Sequence, residues 1–106
     1  MALGTQIWLT SLKEALVQRF GSRLVSIMLY GSEARGDADM DSDIDIFLSL
    51  KGPVSLGDDL ETAITATYQQ QLEIERPLHY SIGEEKEYEA GRFSLYRAIK
   101  KEGLAV

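Results

Sequence analysis

Between Tyr30 and Phe47 the chain reads YGSEARGDADMDSDIDIF, which places six carboxylates from Glu33 to Asp45 around a single arginine, Arg35. Acidic side chains at that density repel one another unless they stand in water or share a cation. Asp43 and Asp45 are the pair with a defined spacing. Alternate residues of a strand point to one face, so an Asp-x-Asp in an extended segment puts two carboxylates side by side, with Cα atoms roughly 6.5–7 Å apart. Such a pair can converge on one magnesium ion or bridge two, magnesium preferring hard oxygen ligands and keeping water and phosphate in its remaining positions. The same pair at an exposed strand start needs no metal.

Upstream, Tyr30-Gly31-Ser32 closes an apolar run. A glycine there permits a sharp turn or a close backbone approach. Ser32, opening a short helix from Glu33 to about Asp37, would offer a hydroxyl and free N–H groups to a phosphate, or would simply cap the helix. Arg35 could grip a phosphate bidentately or neutralise the neighbouring aspartates. The spacing of Asp37, Asp39 and Asp41 suggests a calcium loop, but one starting at Asp37 would need glycine and glutamate where Ser42 and Leu48 stand. Starting at Asp39 puts Ile44 and Leu50 at those positions, which is no better.

These residues must be carried by a small fold. At 106 residues the chain is expected to form one domain, residues 1–106, with a modest core. It has no cysteine, which excludes a disulfide scaffold and cysteine-based zinc sites. Its net charge of −6 argues against direct nucleic-acid binding, and no apolar run has membrane-spanning length, so a cytoplasmic protein without membrane contact is expected.

Trp8, Leu12, Leu16 and Phe20 recur every fourth residue and predict a helix that Gly21 ends. Leu24–Tyr30, nearly all apolar, reads as a strand covered on both faces. Period-two alternation predicts a second strand from about Asp43 to Leu50. A second helix carries Leu56, Leu60, Ala63, Ile64, Thr67 and Tyr68 on one face, with Asp58 and Glu61 spaced as a capping box. Leu72–Arg76 fits a strand or a helix end. Leu78–Ile82 reads as a strand, Glu84–Ala90 as a short charged helix and Phe93–Lys101 as the last helix. Tyr68 and Tyr80 read as packing residues. The order predicts an α/β (α+β) domain, a small mixed β-sheet with helices packed against it.

Taken together, Gly31-Ser32-x-Ala-Arg-Gly36, followed by Asp41-Ser-Asp43-Ile-Asp45-Ile46, closely resembles the signature of the DNA polymerase beta-like nucleotidyltransferases. The single-domain length and the tail Arg97–Gly103 resemble the minimal nucleotidyltransferases, so the resemblance covers nearly the whole chain. It implies the polymerase beta-like fold and transfer of a nucleotide from ATP. Asp43 and Asp45 would hold Mg2+, and Gly31 and Ser32 the terminal phosphates, with Arg35 nearby. It also implies a protein acceptor, because larger relatives carry a second domain for theirs. Minimal members are typically paired with a HEPN-domain ribonuclease toxin, which they neutralise, in some cases by adding AMP to a tyrosine. The family's third carboxylate is expected on the Leu78–Ile82 strand, where His79 stands. His79 could act as a general base or be an ordinary strand residue, and Glu73 and Glu75 are the nearby acids. If the third acid is lost, the domain would instead bind nucleotide or partner and inhibit by occlusion.

Overall fold

Period-two and period-four apolar patterns resolve into a four-stranded sheet with helices on both faces. The computed structural model describes residues 3–38 and 41–106. Helix α1 (Leu3–Phe20) leads through a 3-10 turn into β1 (Leu24–Tyr30), the short α2 (Ser32–Arg35) and β2 (Ile44–Leu50). Helices α3 (Leu56–Ala66) and α4 (Tyr68–Glu73) lead to β3 (Leu78–Glu84), α5 (Glu85–Glu89), α6 (Ser94–Glu102) and β4 (Leu104–Ala105). The strand order is β3-β2-β1-β4. β1 runs antiparallel to β2 and β4, whereas β2 and β3 are parallel, a pairing that requires the long α3–α4 crossover. No described helix is long and apolar enough to cross a membrane.

The alternation of β2 divides its side chains between two cores. Ile44, Ile46, Leu48 and Leu50 enter the larger core, against Leu12 and Leu16 of α1, Leu29 of β1 and Ala63 of α3. Phe47 points the other way and packs on Tyr88 and Tyr96, with ring centroids 4.7 and 5.4 Å away. Ser49 shares that second face, and its hydroxyl hydrogen-bonds Ser26 Oγ at 2.6 Å, satisfying a polar group that would otherwise be costly to bury. Gly83 lets the aromatic cluster close over β3, because a Cβ there would stand 2.7 Å from Tyr96 Oη and 2.9 Å from Phe47 Cζ.

Several boundaries differ from the sequence reading for local reasons. β2 begins at Ile44, and Asp43 stands just before it. α2 begins at Ser32 with Gly31 at its N-cap, so Ser32 does not cap it. β1 buries Ile27 and Leu29 in the larger core and packs the partly buried Met28 and Tyr30 against the second cluster, so both of its faces are covered, and Val25 stands exposed at an irregularity in the pairing. Asp58 and Glu61 form no capping box, since α3 starts at Leu56 and Asp59 accepts the Ser55 N–H at 3.1 Å. Leu72 and Glu73 end α4, and the next three residues turn into β3. The two-residue β4 was not expected.

The largest difference concerns α3 and α4. Ala63, Thr67 and Asp59 face inward, while Leu56, Ile64, Tyr68 and Leu72 keep between 50% and 64% of their surface in solvent. Asp59 is drawn inward by Arg23, whose two Nη atoms donate to its two oxygens at 2.9 and 3.1 Å. That charged hydrogen bonding holds the Asp59 carboxyl below its ordinary range, with burial opposing and the Ser55 N–H assisting. Tyr80 is the packing residue expected. Its hydroxyl meets Thr67 Oγ1 at 2.7 Å, and burial pushes its pKa up to about 12. Tyr68 is exposed and packs on nothing central.

Candidate active site

The second sheet face is covered by α5 and α6 at the Phe47 end and open at the Asp45 end. Strand register brings the site residues together there. Asp45 lies opposite Tyr30 on β1 and opposite His79 on β3. His79 Nδ1 and Asp45 Oδ1 are 3.2 Å apart, with the imidazole largely exposed and the carboxylate mostly covered. The Tyr30 hydroxyl shares a 2.8 Å hydrogen bond with Ser81 Oγ. Burial raises the Tyr30 pKa, the Ser81 bond offsets part of the shift, and the Asp45 charge adds to it.

Gly31 is where the turn after β1 meets this carboxylate. Its φ of 70° and ψ of −146° lie in a region essentially reserved for glycine. A Cβ there would also collide with Asp45 Oδ2. Two independent constraints therefore require glycine, and the result is a backbone turn pressed against Asp45. Ser32 follows as the first residue of α2, half-buried beside it.

Arg76 holds the surrounding segments in place, a role invisible in the sequence. Its Nη2 pairs with Glu33 Oε1 of α2 at 2.7 Å, with only 17% and 10% of the two side chains exposed. Its Nε donates to the Ser42 carbonyl at 2.8 Å. Its own carbonyl accepts from Gln71 Nε2 at 3.0 Å, while Gln71 Oε1 accepts the Leu78 N–H at 2.8 Å. One guanidinium thus ties the Gly31-Ser32 helix and the approach to Asp43 to the start of the strand bearing His79.

The remaining candidates are placed as follows. Asp43 is exposed just before β2, two residues from Asp45. Arg35 is exposed and pairs with Asp37 at 3.3 Å, the neutralising alternative. Glu73 ends α4 and Glu75 is exposed in the following turn, and among the described residues neither bonds to Asp45 or His79. Asp39, part of the calcium-loop pattern, lies outside the described residues. A hollow of about 900 Å³ between α1 and the chain end contains none of these residues.

Among the described residues no three His, Cys, Asp or Glu side chains gather as a metal cage. Two neighbouring carboxylates are a poor resident site. They do suit magnesium, which takes one or two carboxylates from protein and the rest of its shell from water and substrate phosphates. The donor set therefore fits an ion that arrives with a phosphorylated ligand.

Over 97% of this chain and 83% of the other, the fold superposes with a TM-score of 0.61 on the crystal structure of a Sulfolobus solfataricus protein assigned as a nucleotidyltransferase, at 24% identity, a likeness of fold. No curated protein matches the chain. The family model for the nucleotidyltransferase domain matches residues 9–106, nearly the full length, and the chain belongs to that family.

Proposed function

We propose that the protein transfers AMP from ATP to a hydroxyl of a partner protein, with magnesium bound by Asp43 and Asp45. The observation that carries this reading is the Gly31 turn pressed against the Asp45 carboxylate, with His79 on its other oxygen. When bound, magnesium would offset the charge of the phosphates and align them for in-line displacement. The chain's own groups do the rest. Gly31 and Ser32 contact the terminal phosphates, and the Arg76 pair keeps that turn in register with β3. An Nδ1–H donated to Asp45 Oδ1 would orient the His79 ring and leave Nε2 to act as the base. Nε2 takes the acceptor's proton, a bond forms from that oxygen to the α-phosphorus, and the bond to the bridging oxygen breaks to release pyrophosphate.

The partner we propose is a HEPN-domain ribonuclease toxin in a hetero-oligomer, a pairing that rests on the resemblance to minimal members and makes this chain an antitoxin. The test incubates the protein with labelled ATP, magnesium and the proposed HEPN-domain partner. Label on the partner that disappears in Asp45→Asn supports the reading, and no label at any magnesium concentration overturns it.

An inhibitory binding module is the second reading, and one observation favours it: His79 stands in register with Asp45 where the resemblance places a third acid. His79→Asp separates the two. A faster rate in that variant marks an attenuated enzyme. A wild type that transfers nothing yet still silences its partner marks the binding module.

A further inference from the structure

β3 ends the sheet, and among the described residues only β2 pairs with it. Because the Ile44 N–H donates to the Pro77 carbonyl, alternation turns the N–H and C=O groups of Leu78, Tyr80, Ile82 and Glu84 away from β2. Gln71 satisfies the Leu78 N–H and the Glu84 carbonyl opens α5, which among the described residues leaves the main-chain groups of Tyr80 and Ile82 and the Glu84 N–H as an open hydrogen-bonding edge. Edges of this kind are normally blunted by charge, proline or a covering segment. Here the opposite holds. The edge lies in a groove of about 480 Å³ walled by Leu56 and Leu60 of α3 and by Leu95 and Tyr96 of α6, with Tyr80 and Ile82 on its floor. Toward Leu78 the apolar wall continues through Ile64 and Tyr68.

We propose that this groove receives an extended polypeptide segment of a partner protein, added to the sheet as a fifth strand beside β3. Main-chain groups in the floor require a main chain, which excludes a small apolar ligand as the full occupant. A strand seated about 4.8 Å from β3 would send alternate side chains toward the α3 wall and the α6 wall, so the segment is apolar at alternate positions. Walls on both sides argue against a second copy, which would bring two helical walls of its own into the same space. Charge selects further. Asp58 and Glu61 flank the α3 wall, Glu84 ends the strand and Glu85 begins α5, on a chain of net charge −6, so the segment carries lysine or arginine beside its apolar positions. The same strand bears His79, so a docked segment passes next to Asp45. That it belongs to the protein receiving the nucleotide rests on the transfer reading, whereas the docking itself does not.

The test uses the whole protein and no nucleotide, so docking and transfer can fail separately. The probe is a synthetic peptide of about nine residues alternating valine and lysine, long enough to span β3. Two controls accompany it: the same composition with the valines clustered, and glutamate in place of lysine. Backbone amide spectra and hydrogen exchange are read with and without peptide. We expect the alternating peptide to shift and protect the amides of Tyr80, Ile82 and Glu84. Both controls should bind about tenfold more weakly or worse, and the alternating peptide should lose as much on Leu60→Lys and on the separate variant Leu56→Lys, which place a like charge on the exposed walls. Equal binding of the clustered peptide, unchanged binding in both wall variants, or perturbation confined to other amides would overturn the proposal. So would a wild type that sediments as a dimer with these amides already protected, because a second copy would then cover the edge.

Discussion

Replacing Arg76 by methionine keeps most of the apolar stem and removes the guanidinium. The variant leaves the Glu33 carboxylate, 10% exposed, without its partner and the Ser42 carbonyl without its donor. Removing one member of a buried ion pair costs about 3–5 kcal/mol, and an orphaned acceptor about 1–3 kcal/mol. The pair lies near the surface, where water can reach Glu33 in the variant, so about 2–4 kcal/mol is the expected total. For a domain of this size that lowers Tm by roughly 10–25 °C. Chemical denaturation gives the free energy, and a cycle with Glu33→Leu and the double variant isolates the pair. The double variant should recover a large part of the Arg76→Met loss, because replacing both charges avoids the uncompensated one. Magnesium–ATP titration of the same variants should show weaker binding in Arg76→Met even where the fold is intact. A loss under about 1 kcal/mol, or a double variant as unstable as the sum of the singles, would refute the claim that this guanidinium holds the site together.

Gly31→Ala should destabilise the domain by about 1–3 kcal/mol through backbone strain alone and should also displace Asp45; unchanged stability and unchanged nucleotide binding together would contradict the geometry. Magnesium–ATP should raise Tm by mass action, and Asp43→Asn with Asp45→Asn should remove that shift while leaving the unliganded fold intact, as differential scanning fluorimetry can check. Acid stability has a definite sign at Asp59. Its folded pKa is depressed, so its contribution is complete above the ordinary carboxylate value of about 3.9 and is lost as pH falls through the lower folded value. Denaturation curves of Asp59→Asn should accordingly lose slope in that acid window. Tyr80 shows the converse: its folded pKa of about 12 keeps stability that is complete below about 10 and lost as pH rises toward the folded value, readable by tyrosinate absorbance against Tyr80→Phe.

Short-range patterns carried most of the architecture. The alternation of Ile44, Ile46, Leu48 and Leu50 defines β2 because a strand's side chains repeat every second residue whatever lies around it, and the fourfold recurrence from Trp8 to Phe20 defines α1 on the same grounds. The Gly31-Ser32 and Asp43-x-Asp45 pattern was legible because it is local to one turn and to the start of one strand. Tertiary structure decided which apolar face is covered and which polar groups meet. Periodicity shows that Leu56, Leu60 and Ile64 share a helix face, but not that Arg23, from a distant turn, would draw Asp59 inward and leave that face beside an open edge. No local pattern marks Arg76 as the partner of Glu33 or His79 as the neighbour of Asp45, since both contacts depend on the parallel pairing of β2 and β3. That pairing forms only after the α3–α4 crossover closes, and it adds His79 and Arg76 to the contact that the antiparallel pairing of β1 and β2 makes between the Gly31 turn and Asp45.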